Sequence, residues 1–132
     1  MTQDLIRQLQ MAKGAIRAGI EILLTESGIS ASEVRKIYLA GGMGYYISPE
    51  DAIAIGLLPE EFHGKIIATG NSSLAGAEKF LKRGSGSVER LGDDEMIQRE
   101  QKELTHIIAC ATELLLSNHP EFDELYIRYM SF

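Results

Sequence analysis

The sequence predicts an α/β fold, a short central sheet flanked by helices, over residues 1–132 as one domain. Three observations lead there. Segments of helical periodicity alternate with two short apolar runs, Ile37-Tyr38-Leu39-Ala40 and Ile66-Ile67-Ala68, the pattern of parallel strands joined by helices. Both runs are apolar at successive positions, as strands covered on two faces are. Each run also leads into a turn of small residues, Gly41-Gly42-Met43-Gly44 and Thr69-Gly70-Asn71-Ser72.

The first segment, Asp4 to Glu26, reads as one long helix. Leu5, Leu9, Ala12, Ile16, Ile20 and Leu23 recur at steps of three and four and mark an apolar stripe. Thr2 is the candidate N-cap and Gly28 the stop. Ser30 to Glu33 has the spacing of a capping box, which predicts a short helical turn. The first strand and its glycine turn follow. Ser48-Pro49-Glu50-Asp51 then combines an N-cap, a proline at the first helical position and acids in the first turn, so a helix runs from there to Gly56. Pro59 to Phe62 suggests one more helical turn before the second strand.

After that strand, a helix is predicted over roughly Ser73 to Lys82, with Gly84 ending it. Gly84-Ser85-Gly86-Ser87 reads as a loop. Asp93 or Asp94 caps a helix to about Ala111, Thr112 to Leu116 reads as an edge strand, and His119-Pro120 opens a last helix that packs through Phe122, Leu125, Tyr126 and Tyr129.

Composition narrows the function. A net charge of -6 argues against nucleic acid as the main partner, since phosphate binding needs clustered Lys and Arg. No apolar run approaches the roughly 20 residues that span a bilayer, no basic amphipathic segment suits a membrane surface, and the first residues do not begin a signal peptide. A cytoplasmic location is expected. Cys110, the one cysteine, cannot by itself hold an iron–sulfur cluster or a structural zinc. Its apolar surroundings, Ile107 to Ala111, predict a buried thiol. His63, His106 and His119 show no metal-ligand spacing.

Two features could carry chemistry. The first is a strand running into glycine, used twice. Ligands of open α/β sheets sit beyond the carboxyl ends of the strands, and glycine lets backbone approach a ligand without an intervening Cβ. Gly41, Gly42 and Gly44, with Met43 among them, and Gly70-Asn71 would line one cleft if the strands are parallel. The residues alone leave tight turns as an equal reading. Neither a phosphate-binding P-loop nor a dinucleotide fingerprint is present. The second feature is a flank of the first helix, where Gln3, Gln10, Lys13 and Arg17 border the apolar stripe. These side chains suit contacts to a nucleotide base or ribose, or a solvated flank with long side-chain stems laid on apolar surface. No arrangement of catalytic carboxylates, and no Ser/His/Asp or Cys/His set, stands out.

Four collinear runs carry a family resemblance. They are Asp4 to Ile16 (DLIRQLQMAKGAI), Tyr38 to Gly44 (YLAGGMG) with Pro49-Glu50 and Ala54 to Pro59 (AIGLLP), Gly70 to Ala77 (GNSSLAGA), and Pro120-Glu121-Phe122 with the final helix to Met130-Ser131-Phe132. Together they resemble the C-terminal region of the reductive activators of corrinoid proteins. These are iron–sulfur proteins with an ATP-binding domain of the acetate and sugar kinase, Hsp70 and actin superfamily. The resemblance implies a partial ribonuclease H-like, actin-like ATPase lobe, the C-terminal subdomain of a larger ATPase. Leu39 to Gly42 would be the adenosine motif. Gly70-Asn71 to Ala77 would open the hinge helix between two lobes, and Gln10 and Lys13 would lie near the adenine.

ATP or ADP is then the expected ligand. Magnesium and an iron–sulfur cluster are expected only in the larger parent, which would return Co(II) corrinoid to Co(I). The corrinoid protein is the expected partner, and a homodimer is a further expectation. Met43 stands where the family has a bulky aromatic, Tyr45 where asparagine is common, and Ser72-Ser73 where alanines are common. The phosphate-binding loops, their metal-positioning carboxylates and the cluster cysteines are not in this chain, so the piece alone is not expected to complete the cycle. Two other readings stand beside this one: a non-catalytic protein-interaction or dimerisation module, and a lobe of a related ATPase that activates another reductase or a dehydratase.

Overall fold

Helix α1 runs Gln3–Ser27 and ends as its sequence requires. Gly28 takes φ 66°, and the Ile29 N–H reaches back 3.1 Å to the Leu24 carbonyl, closing the last turn. The computed structural model describes residues 2–84 and 93–132, and the side chains of residues 43–45, 83–84, 93–97 and 100 lie outside that description. The remaining elements are strand β1 (Ile37–Ala40), helices α2 (Gly41–Tyr46) and α3 (Pro49–Ala54), strand β2 (Ile66–Gly70), and helices α4 (Ser72–Gly84), α5 (Asp93–Cys110) and α6 (Phe122–Met130). Single 3-10 turns occupy Glu60–Phe62 and Leu116–Asn118. Residues 1–70 and 115–132 form one compact unit and 71–114 another.

In the first unit β1 and β2 pair in parallel, Ile37 opposite Ile66 and Ala40 opposite Gly70, with a register shift between Leu39 and Ala40. The expected parallel pair is therefore present. The core gathers Ala52, Leu57, Leu58 and Phe62, with Ile20, Leu24, Val34, Ile37 and Ile66 packed on it. Ser48 caps α3, its Oγ accepting from the Asp51 N–H at 3.3 Å, with Pro49 at the first helical position. The Ser30–Glu33 spacing forms its reciprocal contact, the Ser30 N–H donating to Glu33 Oε2 at 2.8 Å, but only a hydrogen-bonded turn follows. Lys65 ties that turn down by donating to the Ser32 carbonyl at 2.9 Å.

Helix α6 packs against α1, and this contact overturns the expected face of α1. Leu5, Leu9, Ile16 and Leu23 of the apolar stripe are exposed, whereas Lys13, Gly14, Ala18, Gly19 and Ile22 are buried. The reason is close backbone approach: a Cβ on Gly14 would lie 2.8 Å from the Tyr126 carbonyl oxygen, and one on Gly19 would lie 3.0 Å from Leu116 Cδ1. Small residues admit the second helix, and larger apolar ones cannot.

Other expectations also change. Both strands were expected to be covered, yet Tyr38 is 62% and Ile67 40% exposed, because no helix of this unit covers that face of the pair among the described residues. The glycine turn Gly41–Gly44 is the start of the short helix α2. The edge strand predicted at Thr112 to Leu116 does not form: residues 111–115 lack regular structure and Leu116 starts a 3-10 turn that packs on Gly19. The loop expected at Gly84 to Ser87 lies, beyond Gly84, outside the described residues.

In the second unit α4 and α5 are as long as predicted or longer. Cys110 is exposed, not buried. The apolar stretch around it is one side of an amphipathic helix, and Leu104, Ile107 and Ile108 are exposed with it. Among the described residues no helix is long and apolar enough to cross a membrane.

Candidate functional site

Pairing in parallel brings the carboxyl ends of β1 and β2 to the same edge. Gly41 follows β1 with φ 88°, and Gly70 closes β2 with φ 61°. Both values lie in the left-handed region that glycine occupies without strain, so the turns themselves account for these two glycines. The Thr69 hydroxyl donates to the Leu39 carbonyl at 3.3 Å and joins the two strand ends.

Gly42 is different. It is exposed and has no positive φ, and a Cβ built on it would meet nothing within 4 Å. Neither backbone conformation nor packing among the described residues demands glycine there. Cβ atoms on Gly41 and Gly70 would likewise enter open space. The sheet edge thus presents three glycine positions to solvent. The backbones of Met43 and Gly44 continue α2 behind them, while the Met43 side chain lies outside the described part.

Asn71 belongs to the second unit. Its Oδ1 accepts from the Leu74 N–H at 3.1 Å and its carbonyl from Ala75, so it caps α4.

Lys13 and Gln10 are placed elsewhere. Gln10 is half-buried on α1. Lys13 is 2% exposed. Its ammonium donates to the Ile55 carbonyl at 2.9 Å and to the Ser131 carbonyl, and it lies 4.8 Å from the centre of the Phe132 ring. Ile55 caps the C-terminal end of α3, where a cation complements the helix dipole. Gly56, with φ 74°, leaves the room: a Cβ there would sit 3.5 Å from Lys13 Nζ. Desolvation, and then repulsion from Arg17, hold the Lys13 pKa below its usual range.

Arg17, which could have stacked on a base, instead lies over Tyr129 at 4.8 Å and pairs with Glu21 at 2.8 Å. Lys13, Arg17, Tyr129 and Phe132 border a cleft of about 420 Å3. The basic flank of α1 is therefore taken up by the last helix and the residues after it. Among its described contacts Lys13 has none with the glycine edge. Nothing in the sequence pattern signalled this, because Ser131 and Phe132 lie more than a hundred residues away.

No group of three or more metal-ligating side chains occurs among the described residues. His119 Nε2 meets Glu26 Oε1 at 3.2 Å, and its Nδ1 accepts from the Glu121 N–H at 3.3 Å, which makes the imidazole a fastener between α1 and the start of α6.

Comparison with known proteins places this geometry in context. The family described as the C-terminal domain of RACo, the ASKHA domain, matches residues 1–132. The chain is 32% identical over 127 residues to the corrinoid activation enzyme RamQ of Eubacterium limosum, covering 96% of this chain and 19% of RamQ. It is 29% identical over 132 residues to the Co(II) methylated amine-specific corrinoid protein reductase of Methanosarcina barkeri, covering 100% of this chain and 22% of the reductase. The chain spans about a fifth of the length of these curated relatives.

Proposed function

The chain belongs to the family of C-terminal ASKHA domains of RACo, and from that premise we propose that it is the nucleotide-facing lobe of an ATP-dependent reductive activator of corrinoid proteins. One observation supports this reading above the others: Gly42 sits at the carboxyl edge of the parallel pair, and no internal constraint requires it to be glycine. A bare backbone surface kept open at a strand end suits a ligand that packs against the main chain. The ligand in this reading is the nucleoside end of ATP or ADP, held across Gly41, Gly42 and Gly70, with Met43, Gly44 and Asn71 flanking it. Lys13 and Gln10 support the lobe from α1 rather than touching the adenine.

The phosphate-binding loops, magnesium and the iron–sulfur cluster would come from a protein of the relatives' length. That protein would use ATP to drive electron transfer onto Co(II) corrinoid in the cytoplasm, with the corrinoid protein as its partner.

The test is adenine-nucleotide binding to the chain, and to a chimera in which it replaces the matching fifth of the Methanosarcina barkeri reductase. Gly42→Val should lower nucleotide affinity at least tenfold without changing the circular dichroism spectrum. Unchanged affinity in the chimera would refute the site.

A second reading draws on the exposed apolar residues of the second unit, among them Leu74, Leu81, Ile107 and Ile108. In it the chain is an interaction module that contacts a partner protein or a second copy of itself. A mass by light scattering that rises with concentration, in the absence of any nucleotide affinity, would favour it.

A further inference from the structure

Helix α5 carries a pair of side chains that the nucleotide reading leaves unused. His106 and Cys110 stand one turn apart, so their side chains emerge on the same side of the helix. His106 Nε2 lies 3.8 Å from Cys110 Sγ, and both residues are exposed. For comparison, a tetrahedral ion with a metal–sulfur bond of about 2.3 Å and a metal–nitrogen bond of about 2.0–2.1 Å needs its two ligand atoms about 3.6 Å apart. The pair is thus held within a few tenths of an ångström of that separation before any ion arrives, by rotamers that already bring the two groups together. An imidazole nitrogen and a thiolate are the donor set preferred by zinc-type ions over magnesium or calcium.

We propose that His106 and Cys110 form a two-ligand chelate for a thiophilic divalent ion of the zinc class. His106 supplies the Nε2 lone pair. Cys110 supplies Sγ as thiolate, its proton passing to solvent as the metal–sulfur bond forms. Water fills the remaining coordination positions, since no third protein ligand stands with the pair among the described residues. Charges along this side of α5 set the strength: Arg99 and Lys102 on the preceding turns oppose a dication, and Glu103 favours it. The affinity is accordingly that of an open chelate and not of a closed structural site. The distance to the proposed nucleotide edge is immaterial, because the pair lies wholly within one helix.

The experiment is titration of the reduced chain with Co2+ alone, a spectroscopic stand-in for zinc. The expected result is a thiolate-to-cobalt charge-transfer band in the near ultraviolet. The band should be lost in Cys110→Ser and should need at least tenfold more Co2+ in His106→Ala. Both positions are exposed, and unchanged circular dichroism will show that the helix is intact. No band in the unaltered chain, or equal affinity in His106→Ala, would overturn the proposal. Nucleotide binding plays no part in the readout, so failure here leaves the Gly42 test unaffected.

Discussion

Replacing Gly14 by alanine tests the helix–helix approach on which the C-terminal segment depends. In an isolated helix the change is favourable by about 1 kcal/mol, since glycine is the poorer helix former. Here the new Cβ would lie 2.8 Å from the Tyr126 carbonyl oxygen, 2.9 Å from Met130 Cγ and 3.3 Å from the Met130 nitrogen. The Met130 side chain can turn aside. The Tyr126 carbonyl is backbone within α6, so the helix itself must retreat by on the order of half an ångström to restore ordinary contact. Overpacking of this kind costs about 1–3 kcal/mol, which leaves a net loss of about 1–2 kcal/mol once the helix gain is subtracted.

The retreat also pulls on the Arg17–Tyr129 stack and on the Lys13 contacts with Ser131 and Phe132. Urea denaturation should show a lower midpoint, and hydrogen exchange should quicken across α6. Gly76 in α4 is the matched control. A Cβ there would meet nothing within 4 Å, so Gly76→Ala should stabilise its helix by about 1 kcal/mol. If Gly14→Ala proves as stabilising as Gly76→Ala, the close α1–α6 approach is wrong.

Lys13→Met keeps the buried stem and removes the ammonium, leaving the Ile55 and Ser131 carbonyls without their donor, at a cost of about 1–3 kcal/mol near neutral pH by denaturation. The pH dependence has a definite sign. Burial lowers the folded pKa of Lys13, so the unfolded chain binds this proton more strongly. Wild-type stability should therefore gain as pH rises from the lowered folded pKa towards the ordinary lysine value, and Lys13→Met should lack that gain. Ser48→Ala should cost about 1 kcal/mol through loss of the α3 cap. It should also raise the Glu50 pKa, now held low first by that residue's own backbone N–H and then by Ser48; carboxylate NMR titration will read the change.

The elements were legible wherever a local cause sufficed. Gly28 and Gly56 in positive φ, the Ser48-Pro49 start of α3, the Ser30–Glu33 pairing and the parallel order of β1 and β2 follow from neighbouring residues and a short-range pattern. So does the strand-end position of Gly41, Gly42 and Gly70, and so do the four collinear runs that carry the family resemblance. The burial of α1 is another matter. Its sequence displays an apolar stripe, but which side is covered depends on α6, which arrives a hundred residues later and needs Gly14 and Gly19 for its backbone to come near. Lys13 and Arg17 looked like free cations for the same reason; their carbonyl and ring partners are supplied by the end of the chain. Tyr38, Ile67 and Cys110 looked buried because apolar neighbours in sequence are a property of one segment. Burial is a property of what lies across from it in space, and only the tertiary structure holds that information.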